Sequence, residues 1–334
     1  MGKAEVVVIT GATAGIGRAT ARRFGAERAK VALLARGEDR LQSTKEEIER
    51  AGGQAIAIPT DVADPAQIEA AAEQVEKELG PIDIWINNAM TAVFAPVWQM
   101  EPEEYKRVTE VTYLGQVYGA LAALKRMRTR NKGKLVFVGS ALAYRGIPLQ
   151  SSYGASKHAI QGFVDSLRTE LLHENSGIDL TMVQLSGFNT PQFSWVKSKL
   201  PNHPRPLGAC FQPEVAAEGI FWAAHHKRRE LMIGFPAVEA IYGNKLLPQY
   251  ADWMLSRGGF EGQQTDQPVP ADRPNNLWEP VPGNFGAHGI FEDEAKENSP
   301  QLALTTHRKQ VVAVAGSLAA LGLLIWKGRK ALKL

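Results

Sequence analysis

Three side chains near the middle of the sequence could do chemistry together. Tyr153 and Lys157 stand four residues apart, and Ser140 lies thirteen residues before the tyrosine. A helix opening at Ser151 or Ser152 would bring Tyr153 and Lys157 onto one face. A free phenol titrates at about 10, too high to be a useful base at neutral pH. A neighbouring ammonium stabilises the phenolate, so Lys157 is expected to lower the Tyr153 value and also to hold a ribose. Tyr153 can then give a proton to a carbonyl oxygen, or take one from an alcohol, as hydride moves. Ser140, ending a predicted strand, suits a hydrogen bond to the same oxygen. By itself the Tyr–Lys spacing is common on helices, and it acquires meaning only beside a source of hydride.

That source is indicated at the N-terminus. Thr10-Gly11-Ala12-Thr13-Ala14-Gly15-Ile16-Gly17 follows an apolar strand and opens a helix. Gly11 permits a tight turn, while Gly15 and Gly17 allow close backbone approach to a dinucleotide. The helix N-terminus offers amide hydrogens to a pyrophosphate. The second predicted strand ends at Ala35-Arg36, without the carboxylate that an NAD site uses for its ribose hydroxyl. Arg36 instead offers a planar cation to a 2′-phosphate, so NADP is the expected cofactor. Asp61, after the third strand, can accept from an adenine amino group or act as a helix cap. Asn87 and Asn88 follow the fourth strand, and Ala89 leaves room for a flat ligand.

These residues need a scaffold, and the hydrophobic pattern supplies one. Apolar runs predict strands at Val6–Thr10, Lys30–Leu34, Ala55–Pro59, Ile82–Ile86, Leu135–Val138, Leu180–Val183 and Leu231–Ile233. Helical patterns lie between them, with Pro65 in a first turn. The strands are apolar throughout rather than alternating, which predicts a doubly wound α/β fold with a buried, mostly parallel seven-stranded sheet in three layers. Residues 188–212 hold prolines and aromatics without a period, and suit a substrate lid or a plain surface excursion. Phe94, Phe188, Phe193 and Trp195 fall near the expected mouth and suggest a lipophilic ketone or alcohol.

With these motifs in view, the chain resembles the short-chain dehydrogenase/reductase family across about residues 4–235. The resemblance rests on TGATAGIG at 10–17, Asp61-Val62, NNAM at 87–90, Ser140 and YGASK at 153–157. It implies a Rossmann-type domain, often dimeric or tetrameric, with Ser140, Tyr153 and Lys157 catalytic. It also implies cofactor contacts from Gly11, Thr13, Gly15, Ile16, Gly17, Arg36, Asp61, Val62, Asn88, Ala89, Tyr153, Lys157 and Thr190, the last facing the carboxamide. Three departures stand out. Met90 replaces a glycine. Thr112 replaces a catalytic asparagine and puts a proton relay in doubt. Ser186-Gly187 replaces Pro-Gly and is expected to soften the loop after strand six. The overall architecture looks like that of bacterial members with a long C-terminal tail.

Composition sets the outer limits. The 334 residues are 44% apolar with a net charge of +3, which argues against a nucleic-acid partner. One cysteine, Cys210, rules out an intrachain disulfide framework. No metal site is expected. The sequence divides into a catalytic domain over 1–257, a Pro/Gly-rich irregular extension over 258–305, and an apolar helix with basic flanks over 306–334. Within the last, residues 311–326 carry no charge. As a helix they would span about 24 Å, against about 30 Å of bilayer hydrocarbon. They are read as a membrane anchor with lipid contact, leaving the protein membrane-associated and its catalytic domain in the cytoplasm. The functional expectation is NADP-dependent hydride transfer to or from a carbonyl or secondary alcohol. The alternative, a non-catalytic NADP-binding scaffold at the membrane, rests on Thr112 and the tail. An epimerase or dehydratase finds no further acid/base pair to support it.

Overall fold

Along the first strand, β1 (Val6–Thr10), side chains alternate between the two sides, yet all five residues are buried. Val6 and Val8 pack with Trp85, Leu135 and Phe137 on one face. Val7 and Ile9 pack with Val31, Leu33 and Val136 on the other. A strand buried on both faces requires helices on both, and the computed structural model, which describes residues 4–270 and 272–308, has them.

The remaining strands of this sheet are β2 (Lys30–Ala35), β3 (Gln54–Pro59), β4 (Ile84–Asn87), β5 (Gly133–Val138), β6 (Ile178–Leu185) and β7 (Glu230–Ile233). They lie in the order β7-β6-β5-β4-β1-β2-β3. Every pairing in this sheet is parallel. The helices α1 (Gly15–Ala26), α2 (Glu38–Arg50), α3 (Pro65–Glu78), α4 (Pro102–Thr109), α5 (Gly115–Arg130), α6 (Ser151–His173) and α7 (Pro213–His225) complete the alternation. One face is covered by α1, α2 and α7, the other by α3, α5 and α6. The order reverses between β1 and β4, so a crevice opens beyond their carboxyl ends. This is the doubly wound sheet expected from the apolar runs.

Local chemistry sets the boundaries. The Asp64 carboxylate accepts from the Ala66 amide at 2.8 Å, and Pro65 occupies the first turn of α3. Asp64, rather than Asp61, is therefore the cap. Between α4 and α5 the backbone widens into one π-helical stretch, Glu110–Leu114. Such widenings recur at functional sites.

Beyond β7 come α8 (Phe235–Leu246) and α9 (Pro248–Gly258). The extension that follows is largely irregular, as composition suggests, but it stays on the domain. Gln264–Pro268 pairs antiparallel with Asn202–Pro204. Trp278, Phe285 and Phe291 are spaced along the next stretch, and α10 (Pro300–Thr306) returns to bury Leu302 among the β7 and α7 side chains.

No helix among the described residues is long and apolar enough to cross a membrane. The run at 311–326 lies outside the described residues, and at sixteen residues it falls short of the roughly 20 needed for a span. The expected transmembrane helix, its lipid contact and the membrane localisation are corrected accordingly.

Candidate active site

The crevice at the switch point is a cleft of about 360 Å³. It is lined by Gly11, Thr13, Gly15, Ile16 and Gly17 from the first turn, by Arg36 after β2, and by Asp61 and Val62 after β3. Asn88 and Ala89 after β4, Ser140 after β5, Tyr153 and Lys157 on α6, and Thr190 after β6 complete it. The sheet thus gathers distant stretches because each strand delivers its carboxyl end to one edge.

The first turn is held by close packing. Gly15 has φ of +54°, a conformation that side chains disfavour. A Cβ on Gly17 would stand 2.1 Å from the Gly11 carbonyl oxygen, so only glycine lets α1 approach this closely. Asn88 fixes the turn from the opposite side: its Nδ2 donates to the Thr10 carbonyl at 3.0 Å and to the Gly11 carbonyl at 3.3 Å. Asn87 faces away from the cleft, with Oδ1 accepting from the Trp85 indole at 3.0 Å. Of the two asparagines, 87 braces the sheet and 88 shapes the site.

At the inner end, α6 starts at Ser151 and carries Tyr153 and Lys157 on one face. The residue two positions earlier, Leu149, is buried at φ +69°, and it turns the chain into this helix. An apolar side chain in the left-handed region is a strained arrangement of the sort concentrated at functional sites. Lys157 is 1% exposed. Its Nζ donates to the Val138 carbonyl at 2.7 Å and stands 5.4 Å from the Tyr153 ring centre. Ser140 is buried, and its Oγ accepts from the Leu142 amide at 3.2 Å.

The electrostatics differ from the sequence-based expectation. Burial pushes the Tyr153 phenol up to about 12, opposed only by a hydrogen bond with Ser140. Burial drives the Lys157 ammonium down to about 7. Desolvation leads both shifts, and proximity to Lys157 does not lower the tyrosine as expected. The resulting phenol stays protonated at neutral pH, which makes it a proton donor.

Thr112 is the one predicted site residue absent from the cleft lining. It is fully buried, its Oγ1 donating to the Thr91 carbonyl at 2.8 Å and accepting from the Thr91 amide at 3.0 Å. It ties the π-helical stretch to the loop after β4. Ser186-Gly187 is not loose either: Gly187-Phe188 pairs in parallel with Cys210-Phe211.

Three features escaped the sequence reading. Arg40 lines the cleft beside Arg36, its guanidinium carbon 5.3 Å from the Trp195 ring centre. The spacing of two arginines around the start of α2 was a usable signal. Arg107 on α4 pairs with Asp61 at 2.6 Å. The extension also enters the site: Asn276 and Pro280 line the cleft. No composition signal predicts that.

The donor set fits a phosphorylated dinucleotide. Two arginines stand at one end, a helix N-terminus in the middle, and the Ser140, Tyr153 and Lys157 group at the other.

The short chain dehydrogenase family model matches residues 5–200. Over 332 residues the chain is 30% identical to the uncharacterized oxidoreductase YxnA of Bacillus subtilis, covering 98% of this chain and 91% of that one. It is 32% identical over 193 residues to 3-dehydrosphinganine reductase of Danio rerio, which covers 56% of this chain and 58% of the relative. Among solved structures, an actinorhodin polyketide ketoreductase with NADPH superposes with a TM-score of 0.62 at 29% identity, over 69% of this chain and 95% of that one. An alcohol dehydrogenase from Thermococcus sibiricus complexed with 5-hydroxy-NADP gives 0.60 at 25% identity, with the same coverage.

Proposed function

The chain belongs to the short-chain dehydrogenase/reductase family and is an NADP-dependent oxidoreductase, and from that premise we propose that it reduces the ketone of a lipophilic substrate. NADPH, when bound, supplies the hydride. Arg36 and Arg40 would receive the 2′-phosphate, and the amides opening α1 the pyrophosphate. Lys157 holds the nicotinamide ribose. Ser140 orients the substrate oxygen by donating a hydrogen bond to it, and Tyr153 delivers the proton as that oxygen becomes an alkoxide.

The single observation carrying this reading is the grouping of Ser140, Tyr153 and Lys157 at one end of the cleft, with Lys157 Nζ 5.4 Å from the Tyr153 ring centre. The lipophilic preference rests on the substrate side of the cleft, where Met90, Phe94, Leu142, Ile147, Phe193 and Leu207 dominate the lining. The named activity of the zebrafish relative, reduction of 3-dehydrosphinganine, agrees with that preference. Likeness across 98% of the chain to a Bacillus subtilis oxidoreductase supports a bacterial member with a C-terminal extension. We take residues 1–257 as the catalytic unit, 258–305 as that extension and 306–334 as the tail. The presence of Ser140, Tyr153 and Lys157 together in the cleft weighs against the scaffold reading, which has no need of all three.

The test is NADPH consumption against ketones graded from small and charged to long-chain, with Tyr153→Phe as control. Turnover that rises with apolar chain length and disappears in the variant is expected. Exclusive turnover of small charged ketones refutes the lipophilic assignment.

A further inference from the structure

The extension crosses the family core at the adenosine end of the cleft, and its contacts there are unusual. Three consecutive backbone carbonyls reach two guanidinium groups. Arg36 donates from Nη1 to the Trp278 carbonyl at 2.5 Å and from Nη2 to the Asn276 carbonyl at 2.7 Å. The intervening Leu277 carbonyl accepts from Arg107 Nε at 3.1 Å, and the same Arg107 holds the Asp61 carboxylate. The Leu277 side chain is fully buried among Val93, Ala95 and Val108, so it pegs this tripeptide to the domain. The Trp278 ring lies over Arg107, 5.7 Å from its guanidinium carbon.

We propose that residues 276–278 determine the preference for NADPH over NADH, by clamping Arg36 in the orientation that receives the 2′-phosphate. This rests on the cofactor assignment above. A guanidinium carries five N–H donors in one plane. The two carbonyls take one hydrogen from each terminal nitrogen, which fixes the plane and leaves three donors for phosphate oxygens. A free surface arginine would have to be ordered on binding, whereas this one is ordered beforehand. The carbonyls also draw the Arg36 and Arg107 cations into one cluster against their mutual repulsion. Leu277 is thus a positioning residue: it touches no cofactor and acts through the two carbonyls beside it.

The experiment titrates NADPH and NADH into the full-length protein, following tryptophan fluorescence, for wild type, Leu277→Ala, Arg36→Ala and the double variant. Losing an ordered charge-assisted pair predicts an NADPH affinity about tenfold lower in Leu277→Ala, with NADH changed less than about threefold. Arg36→Ala should show the same selective loss, and the double variant no further loss. Equal weakening of both nucleotides in Leu277→Ala overturns the proposal, because a mere cover would act on both. Additive losses in the double variant, or no loss in Leu277→Ala, overturn it as well. If Leu277→Ala does not fold, Leu277→Val carries the same comparison: a selective loss of a few-fold supports the clamp and an equal loss refutes it. Wild-type protein binding NADH as tightly as NADPH overturns the cofactor assignment and the clamp together, and does so before any variant is made.

Discussion

Replacing Lys157 by methionine should make this protein more stable while abolishing turnover. The lysine is 1% exposed, and burial brings its ammonium from 10.5 to about 7. At about 1.4 kcal/mol per tenfold, keeping this amine in the native state at pH 7 costs about 4 kcal/mol. Methionine of similar length removes that cost. It also removes the 2.7 Å bond to the Val138 carbonyl, a loss of about 1 kcal/mol. That carbonyl retains the Gln116 amide at 3.3 Å, so it is not left bare. The net gain is about 3 kcal/mol at pH 7.

The pH dependence separates this account from simple repacking. The unfolded lysine holds its proton up to about pH 10.5 and the native one only up to about pH 7. Between these values the unfolded chain binds more protons, so wild-type stability rises with pH and the gap to the variant closes. At about pH 9.5 the remaining cost falls to about 1 kcal/mol, which the lost hydrogen bond offsets. Urea unfolding of both proteins at the two pH values reads the difference directly. A variant less stable than wild type at pH 7, or a gap that does not change with pH, refutes the reasoning.

Tyr153→Phe removes the proton donor and should lower single-turnover reduction by about 10²–10⁴-fold, while NADPH affinity stays within about threefold of wild type because binding rests on other groups. Since burial places Tyr153 at about 12 and Lys157 at about 7, reduction should slow as pH rises through about 7 and the lysine loses the proton that would restore the tyrosine; a profile of kcat flat from pH 6 to about 9 excludes Lys157 from that role. Thr112→Val leaves the buried Thr91 amide without its acceptor and should cost about 1–3 kcal/mol in urea unfolding, yet change kcat of the folded protein less than about tenfold; a loss comparable to that of Tyr153→Phe would place Thr112 in the catalytic machinery. Gly17→Ala puts a Cβ 2.1 Å from the Gly11 carbonyl, and calorimetric titration should detect no NADPH binding, with stability lowered by about 1–3 kcal/mol.

Much of the fold was legible because its strands are buried on both faces and therefore apolar without interruption. All seven sheet strands overlap their predicted positions, and the departures sit at their ends. β4 starts at Ile84, since the Asp83 carboxylate instead accepts from the Val6 amide at 3.0 Å. The catalytic group was legible for a different reason: Ser140, Tyr153 and Lys157 do their work with side chains, and side chains are what a sequence records. What they become in the fold was not. Lys157 was expected to lower Tyr153 by proximity, but burial moves the two in opposite directions, and burial depends on partners scattered from Met90 to Phe291.

The extension was illegible for a stricter reason. Its hold on the cleft runs mostly through backbone carbonyls, which every residue possesses. The Gly286 carbonyl accepts from the Gly15 amide at 3.3 Å, and those of Asn276, Leu277 and Trp278 accept from arginines. Residue types in this stretch show where it is pegged, at Leu277, at Phe285 on the Trp195 ring and at Phe291 on the Phe193 ring. They do not show what the peptide groups between the pegs are holding. The arrangement still has a definite consequence. Arg36 and the first glycine turn belong to the part of the chain matched by the family model, while their partners lie at 276–286, beyond it. Cofactor preference in this protein therefore depends on residues outside the region by which its family is recognised, and removing the extension should alter nucleotide selectivity even where it leaves Ser140, Tyr153 and Lys157 in place.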